Sequence, residues 1–187
     1  MPSNKELVQE FYQYFKQNQY IPEKGSKPSL QEEFITKDRL DLKVGLIAEE
    51  FFELVEAVYN KQAADSLIAA WKNIFESGAD EPRSLNVVEA ADATADLRYV
   101  IEGFDLEAGI PSEAIFEEVH ASNMSKLGED MEPVISDGVT PDFKGKLKPA
   151  GKIIAGPNFF EADFEAIIDG REPSRIPARE VLKNKQK

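Results

Sequence analysis

Apolar residues recur along most of this chain at spacings of three and four, the period of helices that each bury one face. Ser3 and Glu6 have the form of a capping box, and Leu7, Val8, Phe11, Tyr12 and Phe15 follow at helical spacing, predicting a first amphipathic helix. A polar, proline-bearing stretch from Gln17 to Pro28 interrupts the pattern, which resumes as an apolar-rich helix from about Leu40 to Tyr59. Asp65 to Glu76 predicts a short helix carrying Leu67, Ile68, Trp71 and Phe75, and SGADEPRS breaks it. Leu85 to Glu102 predicts another long helix. Gly103, Gly109 and Pro111 punctuate the connection to a last one, capped by Ser112, running to about Leu127 and stopped by Gly128.

Beyond Gly128 the composition shifts to Gly, Pro, Asp and Lys as far as Pro157, which disfavours packed helix. VISDGV predicts a small hairpin at Asp137 and Gly138. Phe159 to Ile168 predicts a short helix or an aromatic anchor, and the polar, basic end from Gly170 is expected to be mobile or held by a partner. The reading is all-α: a bundle of about four to five helices over residues 1–128, with an irregular extension over 129–187 packed on or beside it. No internal repeat is visible.

Composition narrows the function classes. A hydrophobic fraction of 42% is enough for a core despite the 30% of charged residues. No run approaches the roughly 20 apolar residues that span a bilayer, and MPSNKELVQE lacks the order of a signal peptide, so a cytoplasmic protein with no membrane partner is expected. The absence of cysteine excludes disulfides, thiolate metal sites and cysteine nucleophiles. A net charge of -13 argues against nucleic-acid binding, which depends on Lys and Arg neutralising phosphates, and a polyanionic substrate would need metal ions.

Two helices concentrate the acids. In AEEFFELVEAV, Glu49, Glu50, Glu53 and Glu56 fall within an arc of about 120° at roughly 100° per residue. No base intervenes between Val44 and Asn60, although Glu49 and Glu53 repel at i and i+4, and Leu42, Leu46 and Ala57 lie within or beside the arc. Apolar neighbours around uncompensated carboxylates favour a bound divalent cation, and hard ions such as Mg²⁺ take such oxygen ligands. In VVEAADATADLRYVIEG, Glu89, Asp92 and Asp96 occupy an arc of roughly 60°, with Tyr99 on the same face and the small residues Ala91, Ala93 and Ala95 around them. Opposed, the two faces would cage one to three ions, about the number carried by metal-assisted phosphate chemistry.

A di-iron carboxylate bundle needs two Glu-x-x-His motifs, and this chain supplies one, Glu117 with its single histidine, His120. His120, Asn123 and Lys126 share one face of the last long helix, where Lys126 could neutralise phosphate oxygens and Asn123 could hydrogen-bond a phosphate, sugar or base. A solvated helix end explains the same three residues. Neither a Walker loop nor a dinucleotide fingerprint is present, and Phe159 and Phe160 suit packing better than base stacking.

LIAEEFFELVEA, ADATADLRYVIEG and IFEEVHASNMSK, in that order and spacing, resemble the two metal helices and the following helix of the all-alpha nucleoside triphosphate pyrophosphohydrolases, a superfamily that includes MazG-like proteins, dimeric dUTPases and phosphoribosyl-ATP pyrophosphohydrolases. The similarity runs from about Leu7 to Ile168. It implies Glu50, Glu53 and Asp96 as metal ligands, and Glu49 as a further ligand or orienter of the attacking water, which makes Glu49 and Glu50 the catalytic candidates. Ala93 stands where many members carry an acid, so a fourth ligand is implied at Asp92, with Glu89 able to assist. Asn123 and Lys126 match positions near the nucleotide, and Tyr99 on the acidic face joins them as a substrate-binding candidate. The implied reaction is Mg²⁺-dependent, with Mn²⁺ as the alternative, cleaving between the α and β phosphates to release a nucleoside monophosphate and pyrophosphate from a house-cleaning substrate such as dUTP. Phosphoribosyl-ATP is the rival substrate, a non-catalytic acidic binding protein the rival class, and a homodimer or homotetramer the implied assembly.

Overall fold

A computed structural model of the chain describes residues 2–17, 37–77, 86–142, 146–178 and 180–181. Most of the predicted break from Gln17 to Pro28, nearly all of SGADEPRS, the start of the predicted helix at Leu85 and the last residues of the tail lie outside them. Among the described residues there are six helices: α1 (Asn4–Tyr14), α2 (Lys37–Val58), α3 (Lys61–Ser77), α4 (Val87–Ala108), α5 (Ser112–Met124) and α6 (Phe164–Ile168). They establish the all-α class with an irregular extension. Among the described residues no helix is long and apolar enough to cross a membrane.

The chain divides into two compact units, one of Met1–Ile21 with Ala95–Lys187 and one of Pro22–Thr94. In the second, α2 and α3 pack as a helical hairpin that buries Ala48 and Ala64. Small side chains there let the backbones approach, and Phe52 meets Trp71 edge to face at 6.2 Å. Asn60 caps α3 by accepting from the Ala63 N–H at 3.0 Å, which starts the helix before Asp65, the predicted first residue.

In the first unit, α1 packs on α5 and buries Leu7 and Phe15. The capping box is complete: the Ser3 N–H donates to Glu6 Oε2 at 2.7 Å and the Glu6 N–H to Ser3 Oγ at 3.4 Å. α1 ends in a Schellman turn with Lys16 in the left-handed region at φ 52°, and its ammonium pairs with Glu132. α4 continues through Gly103, which the sequence reading places in the connection. One interior glycine costs roughly 1 kcal/mol relative to Ala, too little to stop a long helix. The stop is Gly109, at φ 70°, where the Ile110 N–H closes a Schellman turn on the Asp105 carbonyl. At α5, Ser112 is the first helical residue; Pro111 is the N-cap and makes no side-chain cap bond.

No hairpin closes at Asp137 and Gly138. Ile135 instead bridges Ile153, and the Ser136 N–H donates to the Lys152 carbonyl at 2.9 Å, because Asp137 is occupied as an Asx turn with Val139 and Thr140. Phe159 to Ile168 holds both expected features, an aromatic anchor followed by a helix. Asp163 caps α6 at Ala166 and also accepts the Ser174 N–H at 3.0 Å.

Candidate metal and phosphate site

Leu, Ala, Glu and Phe give α2 good helix formers throughout 46–57, so its carboxylates keep their helical register. Glu49, Glu50, Glu53 and Glu56 are all exposed. The expected apolar enclosure is not made by these neighbours among the described residues: Leu42, Leu46 and Ala57 are themselves exposed. Partial desolvation, followed by the neighbouring Glu53 and Glu49 carboxylates, nonetheless raises the Glu50 carboxyl above the ordinary range.

α4 starts at Asn86, whose side-chain oxygen accepts the Glu89 N–H at 3.4 Å. Its acids, Glu89, Asp92 and Asp96, are exposed, and Tyr99 is 82% exposed. Among the described residues no group of three or more Asp, Glu or His converges on a point that could hold a metal ion. The acids therefore stand ready on their own helices and are not gathered into a cage.

Their chemistry suits a hard divalent cation. All candidate donors are carboxylate oxygens, and the desolvation and, after it, the mutual repulsion that raise Glu50 are what such an ion would offset. Soft or imidazole-bound ions have little to bind: the chain lacks cysteine, and its single histidine, on α5, meets Glu10 of α1 at 3.2 Å.

α5 and the turn after it carry two sets of polar residues. One is Asn123 with Lys126 of the turn, both half-buried, with the Lys126 Nζ donating to Asn123 Oδ1 at 2.6 Å. Desolvation lowers the Lys126 ammonium below the ordinary lysine range, and no carboxylate among the described residues pairs with it. The other set is Glu118, Ser122 and the C-cap Ser125, which sequence reasoning passed over although the i, i+4, i+7 spacing of polar residues on a packed helix marks them. Glu118 is only 1% exposed. Its carboxylate accepts from Arg175 Nη2 at 3.0 Å and Nε at 3.3 Å, and from the Asp163 N–H at 3.4 Å.

The fold is shared with the 1.78 Å crystal structure of a proposed NTP pyrophosphohydrolase from Exiguobacterium sp. 255-15, with a TM-score of 0.53 and 21% identity over 99% of this chain and 98% of that one. No curated protein matches the chain. The family model of phosphoribosyl-ATP pyrophosphohydrolase matches residues 8–123, which span both acidic helices and α5 as far as Asn123. That match covers more than half of the sequence, and the chain belongs to the phosphoribosyl-ATP pyrophosphohydrolase family, a hydrolase of the nucleotide pyrophosphohydrolase kind.

Proposed function

We propose that the chain is a cytoplasmic, Mg²⁺-dependent nucleoside triphosphate pyrophosphohydrolase that cleaves between the α and β phosphates. The observation that carries this reading is Lys126. A half-buried ammonium whose partner is the neutral Asn123 amide, in a chain of net charge -13, has no counter-charge among the described residues, and a phosphate would supply one.

In this reading Glu50, Glu53, Asp92 and Asp96 hold Mg²⁺, or Mn²⁺ in its place, and the metal when bound screens phosphate charge and acidifies water. Glu49 and Glu50 orient the water and receive its proton as its oxygen attacks phosphorus. Lys126 and Asn123 steady the phosphates, and Tyr99 lies beside the nucleotide. The α–β bridging bond breaks, and pyrophosphate leaves with the bridging oxygen.

A homo-oligomer completes the reading. α4, with 22 residues and a largely apolar composition, has no buried residue, and Leu42, Leu46 and Phe51 of α2, the first acidic helix, are exposed as well. Exposed apolar residues in such number on each helix suit an interface, and a second copy covering them would also lower the dielectric around the carboxylates. Light scattering on the purified chain is expected to give a dimer or tetramer; a monomer at micromolar concentration would remove this part of the proposal.

A second substrate, phosphoribosyl-ATP, is favoured by the family match, and it offers the same bond to the same groups. Lys126→Met tests the site for either. It is expected to raise KM about tenfold, the scale of one charge-assisted hydrogen bond. An unchanged KM and kcat would sink the phosphate assignment.

A further inference from the structure

The extension is bound to α5 and to the turn after it through Gly156, Phe160, Asp163 and Arg175. Both backbone polar groups of Phe160 are held by serines: the Phe160 N–H donates to Ser125 Oγ at 3.1 Å, and its carbonyl accepts from Ser122 Oγ at 2.9 Å. Further along, the Phe160 ring lies under Arg175 at 5.8 Å, and Arg175 reaches back to Glu118. Before them, the Gly156 N–H donates to the Lys126 carbonyl at 2.9 Å. That contact is close enough to require glycine. A Cβ at Gly156 would overlap the Leu127 carbonyl oxygen and lie 2.9 Å from both the Leu127 carbonyl carbon and the Lys126 oxygen.

α5 ends at Met124, and Lys126 lies in the turn beyond it, where its N–H donates to the Asn123 carbonyl at 3.2 Å. Here a strap from the extension meets that turn, at the residue whose side chain has no carboxylate partner among the described residues. The serine contacts to Phe160 and the Glu118 contact to Arg175 hold the extension along α5 next to that turn.

We propose that Gly156 is a positioning residue for phosphate binding: its backbone, pressed onto the Lys126 and Leu127 carbonyls, sets the direction from which Lys126 addresses the substrate. This rests on the assignment of Lys126 and Asn123 to the phosphates. A side chain at Gly156 forces the strap off the Leu127 carbonyl and lets the turn that carries Lys126 shift with it. The effect reaches the ligand through the Lys126 ammonium, so it exists only while that ammonium is present.

The test is a double-mutant cycle on the full chain, with binding of inorganic triphosphate mixed with equimolar Mg²⁺ read by calorimetry. Lys126→Met is expected to weaken binding about tenfold, and Gly156→Ala in the wild-type background by a similar factor, each the scale of a lost charge-assisted hydrogen bond. Gly156→Ala added to Lys126→Met should change binding by less than about twofold, because contacts that act through one group are not additive. Equal losses in both backgrounds, or no loss in either, would overturn the positioning role while leaving the phosphate assignment intact. Triphosphate that does not bind the wild type, or binds Lys126→Met unchanged, would overturn the assignment itself. Ser125→Ala loosens the same strap without steric overlap. It is expected to repeat the pattern at about threefold, as befits a neutral hydrogen bond, which keeps the question decidable if Gly156→Ala fails to fold.

Discussion

Arg175→Met isolates the largest single electrostatic commitment in the extension. The substitution keeps most of the apolar stem and removes the guanidinium, leaving the Glu118 carboxylate, 1% exposed, with the Asp163 N–H at 3.4 Å as its remaining donor. Removing one partner of a buried ion pair costs about 3–5 kcal/mol. The Arg175 side chain is 54% exposed, so water can enter where it was, and the expected loss falls to about 2–3 kcal/mol. In urea, with a slope of about 2 kcal/mol/M for a chain of this size, the unfolding midpoint read by far-UV circular dichroism should drop by roughly 1–1.5 M with the slope unchanged. Glu118→Gln on top of Arg175→Met should recover part of that loss, since the stranded charge is gone. A midpoint within about 0.2 M of wild type for Arg175→Met, well below the scale of a broken buried pair, would refute the reasoning.

Other consequences can be checked independently. Glu53→Gln should abolish Mg²⁺-dependent turnover while leaving the circular dichroism spectrum unchanged; retained turnover would remove Glu53 from the metal set. Gly138→Ala should destabilise by about 1–2 kcal/mol in urea unfolding, because φ is 82° and the new Cβ would meet the Ala150 Cβ at 3.1 Å. Lys16→Gly should stabilise by about 0.5–1 kcal/mol, the relief of a left-handed residue exceeding one exposed ion pair with Glu132. Thr140, through its hydroxyl and then its N–H, followed by the Val139 N–H, lowers the Asp137 carboxyl to about 2. A lowered carboxylate contributes stability that is full above its ordinary value of 3.8 and is lost as pH falls through about 2. Thr140→Val should move the Asp137 titration, followed by NMR, back toward the ordinary value.

What could be read from the sequence was local. The capping box at Ser3 and Glu6 is contained within four residues, and the acids of α2 and α4 declare themselves by helical spacing alone. Boundaries were harder where opposing local effects are small, as at Gly103, where one glycine is outweighed by the helix on both sides. The grip of the extension was not legible, because Glu118 and Arg175 are 57 residues apart and Ser122 meets a backbone group of Phe160 that any residue would present. Enclosure of the α2 carboxylates was inferred from the helical wheel, which places Leu42 and Leu46 beside them. A wheel shows which residues share a face and not what covers it, and Leu42 and Leu46 are themselves exposed.

The most direct test of the account is a panel of nucleoside and deoxynucleoside triphosphates, including dUTP, together with phosphoribosyl-ATP, incubated with the full chain and Mg²⁺ or Mn²⁺, with monophosphate and pyrophosphate measured in the same samples. The account predicts equal amounts of the two products from one or a few substrates and none when the metal is chelated. Orthophosphate in place of pyrophosphate, turnover that survives chelation, or no turnover of any substrate would contradict it.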